Sequence, residues 1–126
     1  MQKPDQDSIN NIVNFFFNLQ FTMKLYHWNT TSYSRHKSSD SFIEKFMDIT
    51  DRFVEVFIGR YKVKPLINNI ITDVNIITDD GIIYLLNKSR DYLEKLNDTI
   101  KDSELLNIRD ELLAEINQTL YLFTFK

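Results

Sequence analysis

Residues 9–26 of the chain, INNIVNFFFNLQFTMKLY, decide the fold class. Large apolar side chains recur there at steps of three and four, the spacing of a helix that presents one stripe to its neighbours in a bundle. Further phenylalanines widen the apolar surface, so we expect this helix to touch more than one partner. The stripe consists of Ile9, Ile12, Phe16, Leu19, Met23 and Tyr26, and the additional residues are Phe15, Phe17 and Phe21.

The composition excludes several classes of protein. Among 126 residues there are only 2 Gly and 2 Pro, too few for the turns of a small all-β domain. Gly59 and Gly81 are too far apart to form a phosphate-binding loop. The absence of Cys excludes disulfide scaffolds, thiolate zinc sites and cysteine catalysis. Any chemistry that needs imidazole must therefore use His27 or His36.

The charge balance and the N-terminus limit the partners and the compartment. Fifteen Lys and Arg face 18 Asp and Glu, for a net charge of -3, and the N-terminus holds a single lysine, Lys3, so no nucleic-acid partner is expected. No apolar run approaches the ~18 residues that cross a bilayer. The first seven residues are polar and acidic, unlike a secretory signal. We expect a cytoplasmic protein with no membrane contact.

Three further helical patterns follow the first. We expect helices at about 8–29, 35–59, 80–100 and 103–125, within one domain covering 1–126. Asp7 or Ser8 is the expected cap of the first helix, and Gly59 is the expected stop of the second. The connection at about 60–79 is rich in β-branched residues and Asn, and it fits a strand, a short helix or an extended crossover equally well. The sequence predicts an all-α four-helix bundle with one long crossover between helices 2 and 3, which is the ferritin-like connectivity.

The second predicted helix carries polar residues on one face. His36, Asp40, Asp51 and Glu55 lie at about 0°, 40°, 60° and 100° around its axis. Imidazoles and carboxylates together are ligands for iron, manganese or zinc. A solvated polar face is the alternative explanation of the same pattern.

The helical rise divides these four residues into two half-sites. His36 and Asp40 lie about 6 Å apart along the axis, and Asp40 and Asp51 about 16 Å apart. One helix therefore cannot bring all four to one ion, because metal–ligand bonds are only ~2 Å long. A two-fold axis near residues 45 and 46 would place the first pair of one copy opposite the second pair of another. His27 could join from the short turn between helices 1 and 2.

The run Tyr26-His27-Trp28-Asn29, with the spacing from His36 through Asp40 and Asp51 to Glu55, resembles the Dps-type mini-ferritins. Those proteins share a His-Trp pair at the end of the first helix. Their second helix bears His, Asp, Asp and Glu at the offsets found here. The resemblance covers residues 26–55, and the later helices match only in pattern.

The resemblance implies a ferroxidase centre between subunits. His27, His36 and Asp40 of one chain, with Asp51 and Glu55 of its partner, would hold iron and oxidise Fe(II) with hydrogen peroxide. It also implies ferric storage and peroxide protection in a twelve-subunit shell built from two-fold homodimers. Trp28 would lie beside the centre, where its ring could intercept reactive species.

A second resemblance gives a context without a mechanism. Residues 52–61 and 109–117 look like a family of small uncharacterised proteins of large DNA viruses, which would place the chain in the host cytoplasm or the virion. The alternative function is accordingly a non-catalytic structural or interaction protein. It would keep the ferritin-like bundle with a relic or structural metal site.

Overall fold

The computed structural model of the protein describes residues 4–126, which form four α-helices and no strand. The prediction of an all-α fold with four helices is confirmed. None of the helices within these residues is long and apolar enough to cross a membrane. The lone N-terminal lysine, Lys3, lies outside the described residues. The helices are α1 (Gln6–Asn29), α2 (Tyr33–Tyr61), α3 (Asp79–Lys95) and α4 (Ser103–Leu122), with short 3-10 turns at Val74–Ile76 and Leu96–Asp98.

The four helices enclose one aromatic-rich core. Helix α2 packs mainly against α1 and α4, and α3 packs against α4 and α1. The stripe predicted for α1 is buried throughout. Phe16 sits at its centre, with its ring edge-on to Phe46 at 6.0 Å and to Phe53 at 5.5 Å between ring centroids. Edge-on pairs of this kind each add about 0.5–1.5 kcal/mol beyond the burial of their area.

The helix ends differ from the sequence-based expectation in their caps. Helix α1 is capped by Asp5, not by Asp7 or Ser8. The Asp5 carboxylate accepts from the Ser8 backbone N–H, and the Ser8 hydroxyl oxygen accepts from the Asp5 backbone N–H, which completes a capping box. Helix α2 continues past Gly59 to Tyr61. It ends at Lys62, whose φ of 60° gives the left-handed conformation that closes many helices.

The third helix begins where expected, at Asp79, but it ends before its predicted bound. The Thr78 hydroxyl oxygen caps α3 by accepting from the Gly81 backbone N–H, and Asp79 and Asp80 occupy the first turn. Helix α3 ends at Lys95, and a 3-10 turn follows it. The apolar spacing continues through that turn to Ile100, which is fully buried. The hydrophobic pattern therefore extends beyond the C-terminal end of α3.

The crossover (residues 62–78) is extended, with a single 3-10 turn at Val74–Ile76. Amide side chains of α1 bond its backbone, so it follows α1 from the first turn to the last. Because it traverses the bundle, α3 starts at the end where α2 starts, and the two helices run in the same direction. The contacts along it join Gln6 to Lys64 (2.7 Å), Asn10 to Leu66 (2.8 Å), Asn18 to Ile71 and, at its end, Tyr26 to Asp79 (2.6 Å).

Candidate metal centre

A tight corner between α1 and α2 brings the two histidines together. Helix α1 ends where the Thr30 N–H donates to the Tyr26 carbonyl at 2.8 Å. Ser32 caps α2 by accepting from the Arg35 backbone N–H at 3.2 Å. Only three residues separate the helices, so His27 in the last turn of α1 faces His36 in the first turn of α2. A separation of nine residues in sequence becomes direct contact.

The two imidazole rings stack, with 3.9 Å between their centroids and 16° between their planes. His27 Nδ1 lies 2.7 Å from the His36 carbonyl oxygen, and His36 Nδ1 lies 2.9 Å from the His27 carbonyl oxygen. A carbonyl oxygen only accepts, so each Nδ1 carries the hydrogen. In the neutral rings each Nε2 then carries the lone pair with which imidazole binds a metal.

Ser39 is a third member of the corner that the sequence did not reveal. Its side chain is fully buried, and its hydroxyl donates to the His36 carbonyl at 3.0 Å. The Ser39 hydroxyl oxygen also lies 3.1 Å from His27 Nδ1, and this contact fixes the orientation of the His27 ring. The only signal in the sequence is a small hydroxyl residue three positions after His36, and helices carry many such residues.

Arg35 ties the corner to the rest of the bundle. Its guanidinium donates to the Tyr26 hydroxyl at 3.0 Å, to the Asp79 carbonyl at 3.1 Å and to the Phe123 carbonyl at 3.1 Å. Burial raises the pKa of the Tyr26 hydroxyl, and its hydrogen bond to Asp79 raises that pKa further. The histidines are thus carried by a corner that is bonded to the start of α3 and the end of α4.

The three predicted carboxylates remain apart from the histidine pair to different degrees. Asp40 is exposed one turn after His36, whereas Asp51 and Glu55 are exposed farther along α2, with Glu55 about 28 Å from His36 along the axis. Within residues 4–126, no group of three or more His, Asp or Glu side chains is placed to hold a metal ion.

Arg52, the cation next to Asp51 in the sequence, does not form an ion pair with it. Arg52, which follows Asp51, pairs instead with Glu111 of α4. Both residues of that pair are about half exposed, so it contributes little to stability. Asp51 faces the other way, into a groove between α1 and α2.

An apolar surface lies between the histidine pair and the two distant carboxylates, Asp51 and Glu55. Phe17, Phe21 and Met47 are 37%, 48% and 52% exposed, and the rings of Phe17 and Phe21 stack at 5.9 Å. Of the other phenylalanines in the 15–17 run, Phe16 is in the core and Phe15 stacks on Tyr92 at 4.1 Å. A groove of about 390 Å³ opens beside this surface, lined by Val13, Phe16, Phe17, Gln20, Met47, Asp48, Thr50, Asp51, Val54 and Pro65.

Comparison with known proteins identifies a family whose function is unknown. The family described as DUF5856, a family of unknown function, matches residues 27–123. That range contains both histidines and all three carboxylates of the candidate centre. No curated protein and no solved structure matches the chain.

Proposed function

Because the chain belongs to the DUF5856 family, whose function is unknown, we propose a function from its own chemistry. Two antiparallel copies bind Fe(II) between them and oxidise it, as a ferritin-like ferroxidase of the Dps type. The observation that carries the proposal is the histidine pair, in which both Nδ1 atoms are engaged by backbone carbonyls and both Nε2 atoms are left for a ligand.

The positions of the carboxylates support a site shared between two copies. The midpoint between His36 and Glu55 is also the midpoint between Asp40 and Asp51, between residues 45 and 46 of α2. A two-fold axis at that point sets His36 of one copy opposite Glu55 of the other, and Asp40 opposite Asp51. The dimer then carries two identical sites about 23 Å apart along α2.

The donor set suits iron as the substrate. His27, His36 and Asp40 of one copy, with Asp51 and Glu55 of the other, supply two imidazole nitrogens and three carboxylates. Such mixed nitrogen and oxygen sets bind Fe(II), and hard carboxylate oxygens favour Fe(III) once it forms. With hydrogen peroxide as oxidant, two Fe(II) ions give one electron each, and the peroxide takes up two protons and leaves as two waters.

The connectivity of the bundle agrees with this proposal. A long crossover between α2 and α3, with the two helices running in the same direction, is the arrangement of ferritin-like bundles. By the resemblance to mini-ferritins, we extend the proposal to a twelve-subunit shell that stores ferric mineral and removes peroxide. The two-fold dimer is the unit that this shell would repeat.

The test is oxidation of Fe(II) by peroxide with pure protein. The His36→Ala and Glu55→Ala variants each remove one half of the shared site, and both are expected to lose the activity. Asp91→Ala is the matched control, because Asp91 is an exposed carboxylate on α3. If the wild-type protein oxidises Fe(II) no faster than buffer, the ferroxidase proposal is wrong.

A second candidate function rests on the absence of a complete site within one chain over residues 4–126. In that case the protein is a structural or interaction protein, and the stacked histidines close the α1–α2 corner. A metal ion would only link the two copies of the dimer, without catalysis. A melting temperature that falls on addition of chelator, without any oxidation of Fe(II), would select this function.

A further inference from the structure

Trp28 is the most exposed large aromatic side chain of α1. It is the only tryptophan in the chain and it is 66% exposed. It continues the outward stripe of Phe17 and Phe21, at steps of four and seven residues. The Lys24 ammonium lies 5.4 Å from the centroid of its ring. Tryptophans dominate the energetics of many protein interfaces when a partner pocket encloses them.

The groove at the other end of the same face has the shape and chemistry to accept such a ring. Its volume of about 390 Å³ exceeds that of an indole. Val13, Phe17 and Met47 give it apolar walls, while the exposed carboxylates of Asp48 and Asp51 also line it. An apolar pocket with a partly polar lining is the usual form of a side-chain binding pocket.

We propose that Trp28 of each copy occupies this groove in the other copy of the dimer. The arrangement rests on the two-fold axis of the proposed function. His27, the neighbour of Trp28, contacts α2 at residues 36 and 39. The midpoint of these two residues lies about 12 Å along α2 from the two-fold axis, which passes between residues 45 and 46. The α2 residues that line the groove, 47–54, centre about 8 Å away on the opposite side. The two-fold rotation therefore brings Trp28 to within about 4 Å of the groove centre along α2.

The charges along the face favour the same antiparallel arrangement. The histidine end of the face carries two lysines, Lys24 and Lys37, and one exposed carboxylate, Asp40, whereas the groove end carries three exposed carboxylates, Asp48, Asp51 and Glu55. The rotation brings the Lys24 ammonium, together with the Trp28 ring, to the end of the partner's groove that Asp48 lines. A parallel arrangement would instead bring like charges together, which disfavours the wrong pairing. The second copy of this chain is thus the occupant that fits.

The test uses Trp28 as its own reporter, because the chain has no other tryptophan. Sedimentation measures the dimer dissociation constant, and fluorescence on the same samples measures the environment of the indole. As the protein is diluted, we expect the emission to shift to longer wavelength and acrylamide quenching to increase, with the same midpoint as dissociation. A dimer in which Trp28 stays as accessible as in the monomer overturns the proposal.

Three variants separate the ring from the groove and from general surface hydrophobicity. Trp28→Ser removes the ring, and Met47→Lys places a charge in the groove. Each acts twice in the symmetric dimer, so each is expected to raise the dissociation constant by about 100-fold or more. Tyr84→Ser is the control, since Tyr84 is 57% exposed on α3, and it is expected to leave the constant unchanged. A Trp28→Ser protein that dimerises as tightly as wild type refutes the role of the ring.

Fe(II) uptake measured on the same samples distinguishes this inference from the proposed function. A dimer that buries Trp28 but takes up no iron keeps the inference and refutes the ferroxidase. A dimer that oxidises Fe(II) with Trp28 exposed keeps the ferroxidase and refutes the inference. A protein that stays monomeric at the highest attainable concentration refutes the inference and also removes the shared site.

Discussion

Mixing two inactive variants of this chain is expected to restore about a quarter of the ferroxidase activity. His36→Ala breaks the histidine half of each proposed site, and Glu55→Ala breaks the carboxylate half. In a dimer of either variant alone, both sites contain a broken half. In a mixed dimer, one site takes its histidine half from the Glu55→Ala chain and its carboxylate half from the His36→Ala chain. That site is intact, and the other is broken in both halves.

The magnitude follows from the symmetry of the two-fold arrangement. When equal amounts of the variants pair at random, about half of the dimers are mixed, and each mixed dimer has one intact site of two. About a quarter of all sites are therefore intact. Across other mixing ratios the activity should follow a parabola that peaks at equal amounts. Wild type mixed with His36→Ala should instead give activity that rises linearly with the wild-type fraction, because every carboxylate half is intact.

The assay is the initial rate at which ferric absorbance appears after Fe(II) and peroxide are added to co-refolded mixtures. Co-refolding matters because it lets the chains exchange partners before the measurement. A mixture that stays as inactive as its components would show that the site is not shared between copies. Full activity in either variant alone would show that the substituted residue is not a ligand.

Four further predictions concern the fold. Arg109 is 6% exposed and donates to the Leu93 carbonyl near the end of α3 at 2.8 Å, so Arg109→Met leaves that carbonyl without its donor and should lower the free energy of unfolding by about 2 kcal/mol in urea titrations. A side chain on Gly81 would overlap backbone atoms of the preceding 3-10 turn, so Gly81→Ala should destabilise by about 2 kcal/mol. Gly59 has open space around it, and Gly59→Ala should stabilise α2 by about 0.5–1 kcal/mol. Burial raises the pKa of Tyr92 above its usual value of 10.0. The stability it contributes is therefore present below pH 10.0 and is lost as the pH rises through the raised pKa, and Tyr92→Phe should make the decline in melting temperature above that pH shallower.

The apolar periodicity predicted the inward face of α1 well, but it did not predict how the helices end. The stripe from Ile9 to Tyr26 is buried as expected, because a spacing of three and four leaves a helix one face to bury. The cap of α1 is nevertheless Asp5. Several adjacent polar residues could each cap the first turn, and only the path of the chain selects one. Gly59 likewise did not stop α2, since a glycine permits a helix end without imposing it.

The crossover shows why some segments cannot be assigned from their own residues. Its β-branched and Asn residues carry no period, so strand, helix and extended chain fitted equally well. The extended form is bonded by amide groups of α1, among them Gln6 and Asn10. The residues that determine its conformation therefore lie more than fifty positions away, beyond the reach of a local pattern.

The sequence alone determined that this chain is helical, which side of α1 is buried, and that His36, Asp40, Asp51 and Glu55 share a face. These properties follow from the helical period, which is a local and repeating geometry. Only the tertiary structure decided that His27 and His36 stack and donate to each other's carbonyls, and that Ser39 completes the corner. Those contacts join two helices across a three-residue turn. Their geometry depends on how the helices pack, and no period within either helix encodes it.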